Sequence, residues 1–187
     1  MNDTLAEPIS IKELLIAISK GKSNKAPGPD GICLEFFKVA WEVVKLNLLH
    51  ILNSMFLSGI IVGNQLQGRI VCLPKKSPAN SIDNYRPLTL MNRDYKILTR
   101  IVANRLRTCL PAIIHPSQHC GVRGRSIFDA VATVRDVIAY AEVTKRPICV
   151  VSLDFSAAFD NISHAYMEEV LRAQGFSKWF RLYHATV

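Results

Sequence analysis

The sequence predicts an α+β fold that is rich in helix and contains few strands. Three observations lead to this prediction. Apolar residues recur at helical spacing in several segments, with capping residues at their starts. Two β-type segments, residues 69–76 and 88–91, flank a polar loop as in a hairpin. A further apolar run, residues 147–153, is rich in β-branched residues and predicts a strand buried on both faces.

The helices are predicted in chain order from spacing and from turn residues. Ser10 and Glu13 form a capping-box pattern ahead of the first helix, which Gly21 can end. Prolines and glycines exclude regular structure from residues 21–31, and a long helical pattern with room for one break stops at Gly59. The remaining predicted helices cover residues 94–110, 126–143, 163–173 and the segment from 177 onward, and a connector is expected between Pro111 and Pro116.

The net charge of +8 is concentrated in the middle third of the chain. Residues 61–125 carry 11 lysines and arginines but only two acids, whereas the segments on either side are close to neutral. A surface that binds polyanions has this distribution of charge. Composition alone is equally compatible with a solvated basic face.

Composition also excludes several classes of protein. The chain is 49% hydrophobic, which is too apolar for a disordered protein, yet no apolar run reaches the length of a membrane span. The first ten residues lack the basic start and apolar middle of a signal peptide. Five scattered cysteines favour free thiols in a reducing compartment. We therefore expect an intracellular protein, cytoplasmic or nuclear and not secreted, with no membrane partner; its oligomeric state is not predicted.

Asp154 ends the apolar run and is the candidate catalytic residue. A carboxylate at the end of a strand is held at the sheet edge, where it can bind a hard cation such as Mg²⁺; the structural alternative is an aspartate that caps the following turn. A dehalogenase-type phosphatase would need a second aspartate at position 156, which is Ser156. A P-loop ATPase would need glycine in place of Ile16. A two-metal nucleotidyl transferase is the third possibility, and it needs further carboxylates elsewhere.

Four stretches, taken together, resemble the reverse transcriptases of non-LTR (LINE-type) retrotransposons. "LDFSAAFD" (153–160) resembles their first catalytic motif. "NKAPGPDGI" (24–32) is similar to the motif that opens their fingers region. "RIVCLPKK" with "NYRPLTLMNRDYKILTRIVANRL" (84–106) resembles the next fingers motifs. "QHCGVRGRSIFDA" (118–130) is similar to the segment before the palm, so the matches follow the family order.

The resemblance implies a right-handed polymerase with fingers, palm and thumb. Residues 1–146 would form the fingers region and residues 147–187 the start of an incomplete palm. Such an enzyme adds dNTPs to the 3′-OH of a DNA primer, copies an RNA template and uses Mg²⁺ or Mn²⁺. The family's second metal motif contains paired aspartates, and the sequence has no Asp-Asp pair. We therefore expect a truncated polymerase that is inactive by itself.

The resemblance also implies roles for single residues. Asp154 matches the palm aspartate that holds both metals, and the carbonyl oxygen of Phe155 would be a further ligand. Phe159 matches the aromatic gate beneath the sugar of the incoming nucleotide, where it would exclude a 2′-OH. Lys75 and Arg86 match the basic residues that contact the triphosphate, a role that suits cations on a hairpin. Asp160 is expected to hold local structure, for example at the start of the following helix.

Other basic residues are expected to contact phosphates. A template-side group on the helix predicted from residue 94 comprises Lys96, Arg100, Arg105 and Arg107. Arg123 and Arg125 flank Gly124 and are candidate contacts to template or nucleotide. The loop "KAPGPDG" is expected to be a rigid packing element. Two alternatives stay open: a non-catalytic nucleic-acid-binding remnant of a retroelement, and a decayed reading frame without a stable fold.

Overall fold

The computed structural model describes residues 5–61, 63–75, 77–78, 80–156, 158 and 161–176. They include the strands β1 (Gly68–Pro74) and β2 (Tyr85–Met91) and the helices α1 (Ile11–Ser19), α2 (Leu34–Val39), α3 (Trp41–Ser58), α4 (Arg93–Ile113), α5 (Ile127–Thr144) and α6 (His164–Ala173). Within these residues the strands form one antiparallel sheet. The predicted α+β class is confirmed, and the helix predicted from Ser177 lies outside the described residues.

The predicted helix boundaries follow from short-range side-chain contacts. At α1, the Ser10 hydroxyl accepts a hydrogen bond from the amide of Glu13, and the Glu13 carboxylate accepts one from the amide of Ser10, at 3.3 and 2.9 Å. Ser126 begins α5 with an equivalent reciprocal pair. The expected break separates α2 from α3 at Ala40, and α3 ends at Gly59 in the left-handed region (φ +69°). Capping therefore sets the starts of α1 and α5 and the end of α3, as the sequence predicted.

The core lies between α1, α3 and α4. Its most completely buried side chains are Leu14 and Ile18 of α1, Leu52 of α3, and Leu98 and Ile101 of α4. Each of these side chains contributes roughly 1.5–3 kcal/mol of transfer free energy when it leaves water. The core therefore joins segments that are more than 70 residues apart in sequence.

The loop of residues 21–31 packs against the junction between β2 and α4. The Arg93 guanidinium donates hydrogen bonds to the carbonyl oxygens of Lys25 and Ala26, at 2.6 and 2.8 Å. The Asn92 side-chain oxygen accepts one from the amide of Asp30, at 3.3 Å. Gly28 lies so close to Asn92 that a β-carbon there would collide with its backbone and side chain. The loop is irregular, as predicted, and has an ordered packing role.

The expected boundary at Pro111 is wrong, because α4 continues through this residue to Ile113. Proline lacks the amide hydrogen that would bond to the carbonyl of Arg107. The loss falls in the last turn of the helix, where the packed body of α4 before it already fixes the helix direction. The connector therefore begins at Ile114 and not at the proline.

The predicted strand at residues 147–153 is the largest error of the sequence analysis. These residues form no strand, and the side chains of Val150, Val151 and Leu153 are 63%, 69% and 85% exposed. A strand requires a hydrogen-bonding neighbour, and in the described part of the chain β1 and β2 pair with each other. The run is apolar, as predicted. Among the described residues, however, no strand pairs with it and no element covers it.

The carboxyl-terminal third of the described chain is more open than the rest. Of the 18 residues of α5, Ala141 is the only buried one, and α6 has no buried residue. No helix in the described ranges has the length and apolar character needed to cross a membrane. The packed body of the described protein therefore centres on α1 to α4.

Candidate nucleotide and nucleic-acid site

The hairpin of β1 and β2 carries the two candidate triphosphate ligands. The predicted hairpin is confirmed, but β2 begins at Tyr85, three residues before the predicted strand, so that Leu73 lies opposite Arg86 and Pro74 opposite Tyr85. Lys75 follows β1 directly, and its amide donates to the carbonyl of Asn84 at 2.6 Å, which continues the register by one residue. Lys75 and Arg86 are therefore diagonal neighbours, and diagonal pairs are about 7–8 Å apart, within reach of long side chains. The hairpin can direct both cations to one anion.

The two cations differ in their present contacts. The Lys75 ammonium donates to the backbone carbonyl of Asp83 at 2.9 Å, inside the loop of the hairpin. Arg86 is exposed, and its side chain makes no hydrogen bond to another described residue. Arg86 could therefore bind a triphosphate directly. Lys75 would first have to release the neutral carbonyl of Asp83, and its hydrogen bond to a charged phosphate oxygen would be the stronger of the two.

Asp154 lies in the exposed segment without regular structure that follows α5. Its carboxylate makes no hydrogen bond or ion pair within the described part of the chain, and the neighbouring Phe155 ring is 83% exposed. No bond of either kind joins Asp154 to Lys75 or Arg86 within that part. The predicted gate Phe159, and Asp160, lie outside the described residues. Ser163 caps α6 itself, by accepting a hydrogen bond from the amide of Tyr166 at 3.3 Å.

The donor atoms around Asp154 are of the type that Mg²⁺ accepts. A carboxylate and a backbone carbonyl are hard oxygen ligands, and Mg²⁺ commonly takes one or two carboxylates and completes its shell with water and phosphate. Among the described residues, no three histidine, cysteine, aspartate or glutamate side chains converge as a metal site. The segment therefore offers a partial ligand set that suits a metal shared with a phosphate-bearing ligand.

Arg105 has a structural environment that the sequence did not predict. Its guanidinium pairs with both carboxylate oxygens of Glu13 and donates to the carbonyl oxygens of Leu5, Glu7 and Pro8, at 2.6 to 3.1 Å. It also lies 5.2 Å from the centre of the Phe56 ring, and its side chain is only 9% exposed. The donors expected to contact phosphate are therefore occupied inside the protein.

The other basic residues of α4 divide between inward and outward roles. Arg100 donates to the carbonyl of Ala17 at the end of α1, at 2.9 Å. Lys96 is partly exposed and Arg107 is exposed. Burial, together with the nearby charge of Arg93, lowers the pKa of Lys96 below its ordinary value. Of the four expected phosphate ligands on this helix, Lys96 and Arg107 keep their charged ends available.

Arg125 closes the end of α4. Its guanidinium donates to the carbonyl oxygens of Ile114, His115 and Gln118, at 2.9, 2.6 and 2.8 Å, and more distantly to that of Pro111. These carbonyls follow or end a helix, where the backbone supplies no partners. Arg123, two residues earlier, is exposed. The two arginines around Gly124 therefore have different environments.

Arg93 and Asn92 are the polar residues that sequence reasoning missed. They are 8% and 3% exposed, and they bind the loop of residues 21–31. A cation in the first turn of a helix opposes the helix dipole, so its presence there indicates a separate role. The position of Arg93 in the first turn could therefore have indicated a separate role from the sequence alone. The sequence did not indicate that the partner of Arg93 is the loop of residues 21–31.

The chain is similar to proteins of one known family. A family model for reverse transcriptase (RNA-dependent DNA polymerase) matches residues 73–186. The Transposon TX1 uncharacterized 149 kDa protein of Xenopus laevis is 35% identical over 99% of this chain and 14% of its own length. The Drosophila melanogaster Pol polyprotein from retrotransposable element R2DM is 29% identical over 91% of this chain and 16% of its own length. The probable RNA-directed DNA polymerase from transposon BS, of the same organism, is 28% identical over 84% of this chain and 18% of its own length. The chain thus spans less than a fifth of the length of these relatives.

Proposed function

The chain belongs to the reverse transcriptase family, in the form carried by non-LTR retrotransposons, and we propose that it supplies the fingers region and the first palm motif of an RNA-directed DNA polymerase. In this proposal residues 1–146 form the fingers and residues 147–187 begin the palm of a right-handed polymerase. The partners are an RNA template, a DNA primer and dNTPs. The observation that carries the proposal is the family match over residues 73–186, a range that contains Lys75, Arg86 and Asp154.

Each proposed role follows from the chemistry of the side chain. Lys75 and Arg86 bind the triphosphate of the incoming dNTP, and the diagonal placement of the two cations on the hairpin supports this. Asp154, with the carbonyl oxygen of Phe155, would hold Mg²⁺ or Mn²⁺. When bound, the metal would stabilise negative charge at the α-phosphate during attack by the primer 3′-OH. Phe159 would exclude the 2′-OH of a ribonucleotide.

Only some of the basic residues in the middle third of the chain are assigned as nucleic-acid contacts in this proposal. Lys96, Arg107 and Arg123 have accessible charged ends and are retained as contacts to the strand. Arg105 is left out, because its guanidinium is largely buried and its donors are bound to Glu13 and to backbone carbonyls. Arg100 and Arg125 are assigned mainly structural roles, because each donates to backbone carbonyls.

We further propose that these 187 residues do not polymerise alone. A two-metal site needs several carboxylates, and the sequence contains no Asp-Asp pair to join Asp154. A primer-extension assay with an RNA template and Mg²⁺ is expected to show no incorporation. Incorporation that Asp154→Ala abolishes would contradict the proposed inactivity and would establish the polymerase directly.

Binding of dNTP tests the assignment of the site without requiring turnover. Affinity for a dNTP is measured in Mg²⁺ with an RNA–DNA template–primer, for the wild type and for Lys75→Gln, Arg86→Gln and Asp154→Asn. Each cation removed is expected to weaken binding roughly 10- to 100-fold, because a hydrogen bond to a charged group contributes about 1.5–3 kcal/mol. Asp154→Asn is expected to remove the dependence on Mg²⁺. Arg135→Gln, which changes an exposed arginine of α5, is the matched control.

A non-catalytic nucleic-acid-binding remnant is the second candidate function. The accessible charged ends of Lys96, Arg107 and Arg123 favour it, because they suit contact with phosphates and need no metal site. It predicts RNA binding that weakens with salt, that is indifferent to Asp154→Asn, and that falls when the charge of Arg107 is reversed. Unchanged dNTP affinity in all three site variants would favour this function over the polymerase assignment.

A further inference from the structure

The hairpin of β1 and β2 is exposed along most of its length. Every residue of β1 is exposed, and the half-buried residues of β2 lie at its two ends. The hairpin joins the rest of the protein at Gly68 and Met91, where the strands lie so close that a β-carbon on Gly68 would collide with the Met91 side chain. A two-stranded hairpin is at best marginally stable by itself. Its direction is therefore set at this base.

Two side-chain hydrogen bonds join the segment that enters the hairpin to the segment that leaves it. Gln65 lies in a short 3₁₀ turn before β1, and its Nε2 donates to Oδ2 of Asp94 in the first turn of α4, at 2.6 Å. Asn92 follows β2 directly, and its Nδ2 donates to the carbonyl oxygen of Asn64 at 3.3 Å. The base of the hairpin is thus closed on both sides by side chains.

Asn92 is the central residue of this base. It is 3% exposed, and its Oδ1 accepts a hydrogen bond from the amide of Asp30 at 3.3 Å while its Nδ2 binds Asn64. An asparagine directly before a helix commonly caps it by accepting a hydrogen bond from a helix amide. Asn92 occupies that position before α4 and makes no such bond. Its side chain therefore joins the loop of residues 21–31 to the entry of the hairpin instead.

We propose that Asn92 is a positioning residue for the triphosphate site. By fixing the base of the hairpin it determines where Lys75 and Arg86 are held, and Gln65 assists through its bond to Asp94. The proposal rests on the function proposed above and deepens it, because it adds a residue that acts through the two cations without touching the nucleotide.

The length of the hairpin explains why its base matters. Lys75 is seven residues beyond Gly68, which is roughly 23 Å of strand. A tilt of about 10° at the base would therefore move Lys75 by about 4 Å. Hydrogen bonds to oxygen span only about 0.5 Å in length, so a displacement of that size breaks a contact with phosphate. A small loosening at Asn92 is enough to separate both cations from one triphosphate.

The experiment measures the coupling between Asn92 and Arg86 in dNTP binding. The dissociation constant of a dNTP is measured in Mg²⁺ with an RNA–DNA template–primer, for the full 187-residue chain and for Asn92→Ala, Arg86→Gln and the double variant. Asn92→Ala is expected to weaken binding roughly 10-fold by itself but only roughly 3-fold when Arg86→Gln is present, because fewer charged contacts remain to be misplaced. A residue that only stabilised the fold would give the same factor in both backgrounds.

Asn53→Ala is the matched control. The Asn53 side chain in α3 also joins two segments, because it accepts from the amide of Ile9 at 2.6 Å and donates to the carbonyl of Ile9 at 2.9 Å. These bonds lie between α3 and the segment before α1, and neither involves the hairpin. Asn53→Ala should lower the urea concentration at the unfolding midpoint, as Asn92→Ala does, yet keep the wild-type dissociation constant for dNTP.

A second variant and a second readout keep the test decisive. Gln65→Leu removes the other bond at the base and replaces Asn92→Ala if circular dichroism shows that this variant does not fold; it is expected to weaken dNTP binding roughly 3-fold. Relaxation dispersion of the backbone amides is expected to show increased motion of β1 and β2 on the microsecond to millisecond timescale in both base variants, with α1, α3 and α4 unchanged. Asn53→Ala should leave the hairpin amides unchanged.

Two different results would overturn the inference. If the wild type binds dNTP and a folded base variant binds it equally tightly, or loses the same factor with and without Arg86→Gln, then the base does not position the cations and the proposed function stands without this role. If the wild type binds no dNTP in the presence of the template–primer, the proposed function and the inference fail together.

Discussion

The guanidinium of Arg105 binds both carboxylate oxygens of Glu13, with Nε 2.6 Å from Oε1 and Nη2 2.9 Å from Oε2. This pair joins α4 to the start of α1 across 92 residues of sequence. The same carboxylate also closes the capping box with Ser10. One glutamate therefore fixes both the beginning of a helix and its packing partner.

Glu13 should make the stability of the protein sensitive to acid. Hydrogen bonding to Arg105, opposed by partial burial, lowers the Glu13 pKa from 4.5 to about 2. The folded pKa lies below the unfolded one, so this stabilisation is complete above about pH 4.5 and is lost as pH falls towards 2. The expected loss is roughly 1–2 kcal/mol, because partial exposure of the pair allows solvent screening. In urea unfolding, the stability difference between wild type and Glu13→Gln should shrink over this range; a constant difference would contradict the assignment.

Arg105→Ala should be far more destabilising than the same change at Arg107. Removing Arg105 leaves the Glu13 carboxylate and three carbonyls without this donor, and for a partly exposed pair we expect a loss of roughly 1.5–3 kcal/mol. Arg107 is exposed on the same helix, so Arg107→Ala should change the free energy of unfolding by no more than about 0.5 kcal/mol. Chemical denaturation of both variants gives the comparison, and equal losses would show that Arg105 is not the structural member of the pair.

Gly28 should tolerate no side chain. A β-carbon at this position would meet the backbone and side chain of Asn92, so Gly28→Asn should cost roughly 1–3 kcal/mol through overpacking. Gly31 has open space around its β-carbon position and a φ of +74°, which asparagine accepts more readily than most residues. Gly31→Asn is therefore the matched control and should have the smaller effect on thermal stability. If the two variants lose the same stability, the loop does not pack closely at Gly28.

Truncation of Leu98 should destabilise the protein, whereas truncation of Leu153 should have little effect on its stability. Leu98→Ala removes a fully buried side chain and should cost about 2–5 kcal/mol. Leu153 is 85% exposed, so Leu153→Ala should change stability by no more than about 0.5 kcal/mol and should reduce the apolar surface available for self-association. A loss at Leu153 comparable to that at Leu98 would indicate that residues 147–153 are packed in solution.

The features predicted correctly from the sequence are those decided by a few neighbouring residues. The capping boxes at Ser10 and Ser126 involve side chains three positions apart, so a short stretch of sequence contains every residue that forms them. The hairpin was predicted for the same reason, since its strands flank one short loop. The strand at 147–153 failed because its state depends on a partner strand that a local pattern cannot supply.

The arginines show the corresponding limit for the candidate site. Arg105 and Arg107 lie two residues apart and have the same chemistry, yet one is buried against Glu13 and the other faces solvent. Helical spacing places Arg105 beside the apolar face, four residues after Ile101, but it does not reveal the partners of Arg105, because the carbonyls and the carboxylate that bind it lie about 90 to 100 residues earlier. The roles of Lys75, Arg86 and Asp154 stay predictions that the experiments above can test.

The pairing of α1 with α4 has a consequence for synthesis of the protein. About 75 residues separate the end of α1 from the start of α4. At typical translation rates of about 5–20 residues per second, α1 would emerge from a ribosome roughly 4–15 s before its partner. During that interval Leu14 and Ile18 can pack only against α2 and α3, so the core stays incomplete and the nascent chain is exposed to chaperones and to aggregation until α4 has been made.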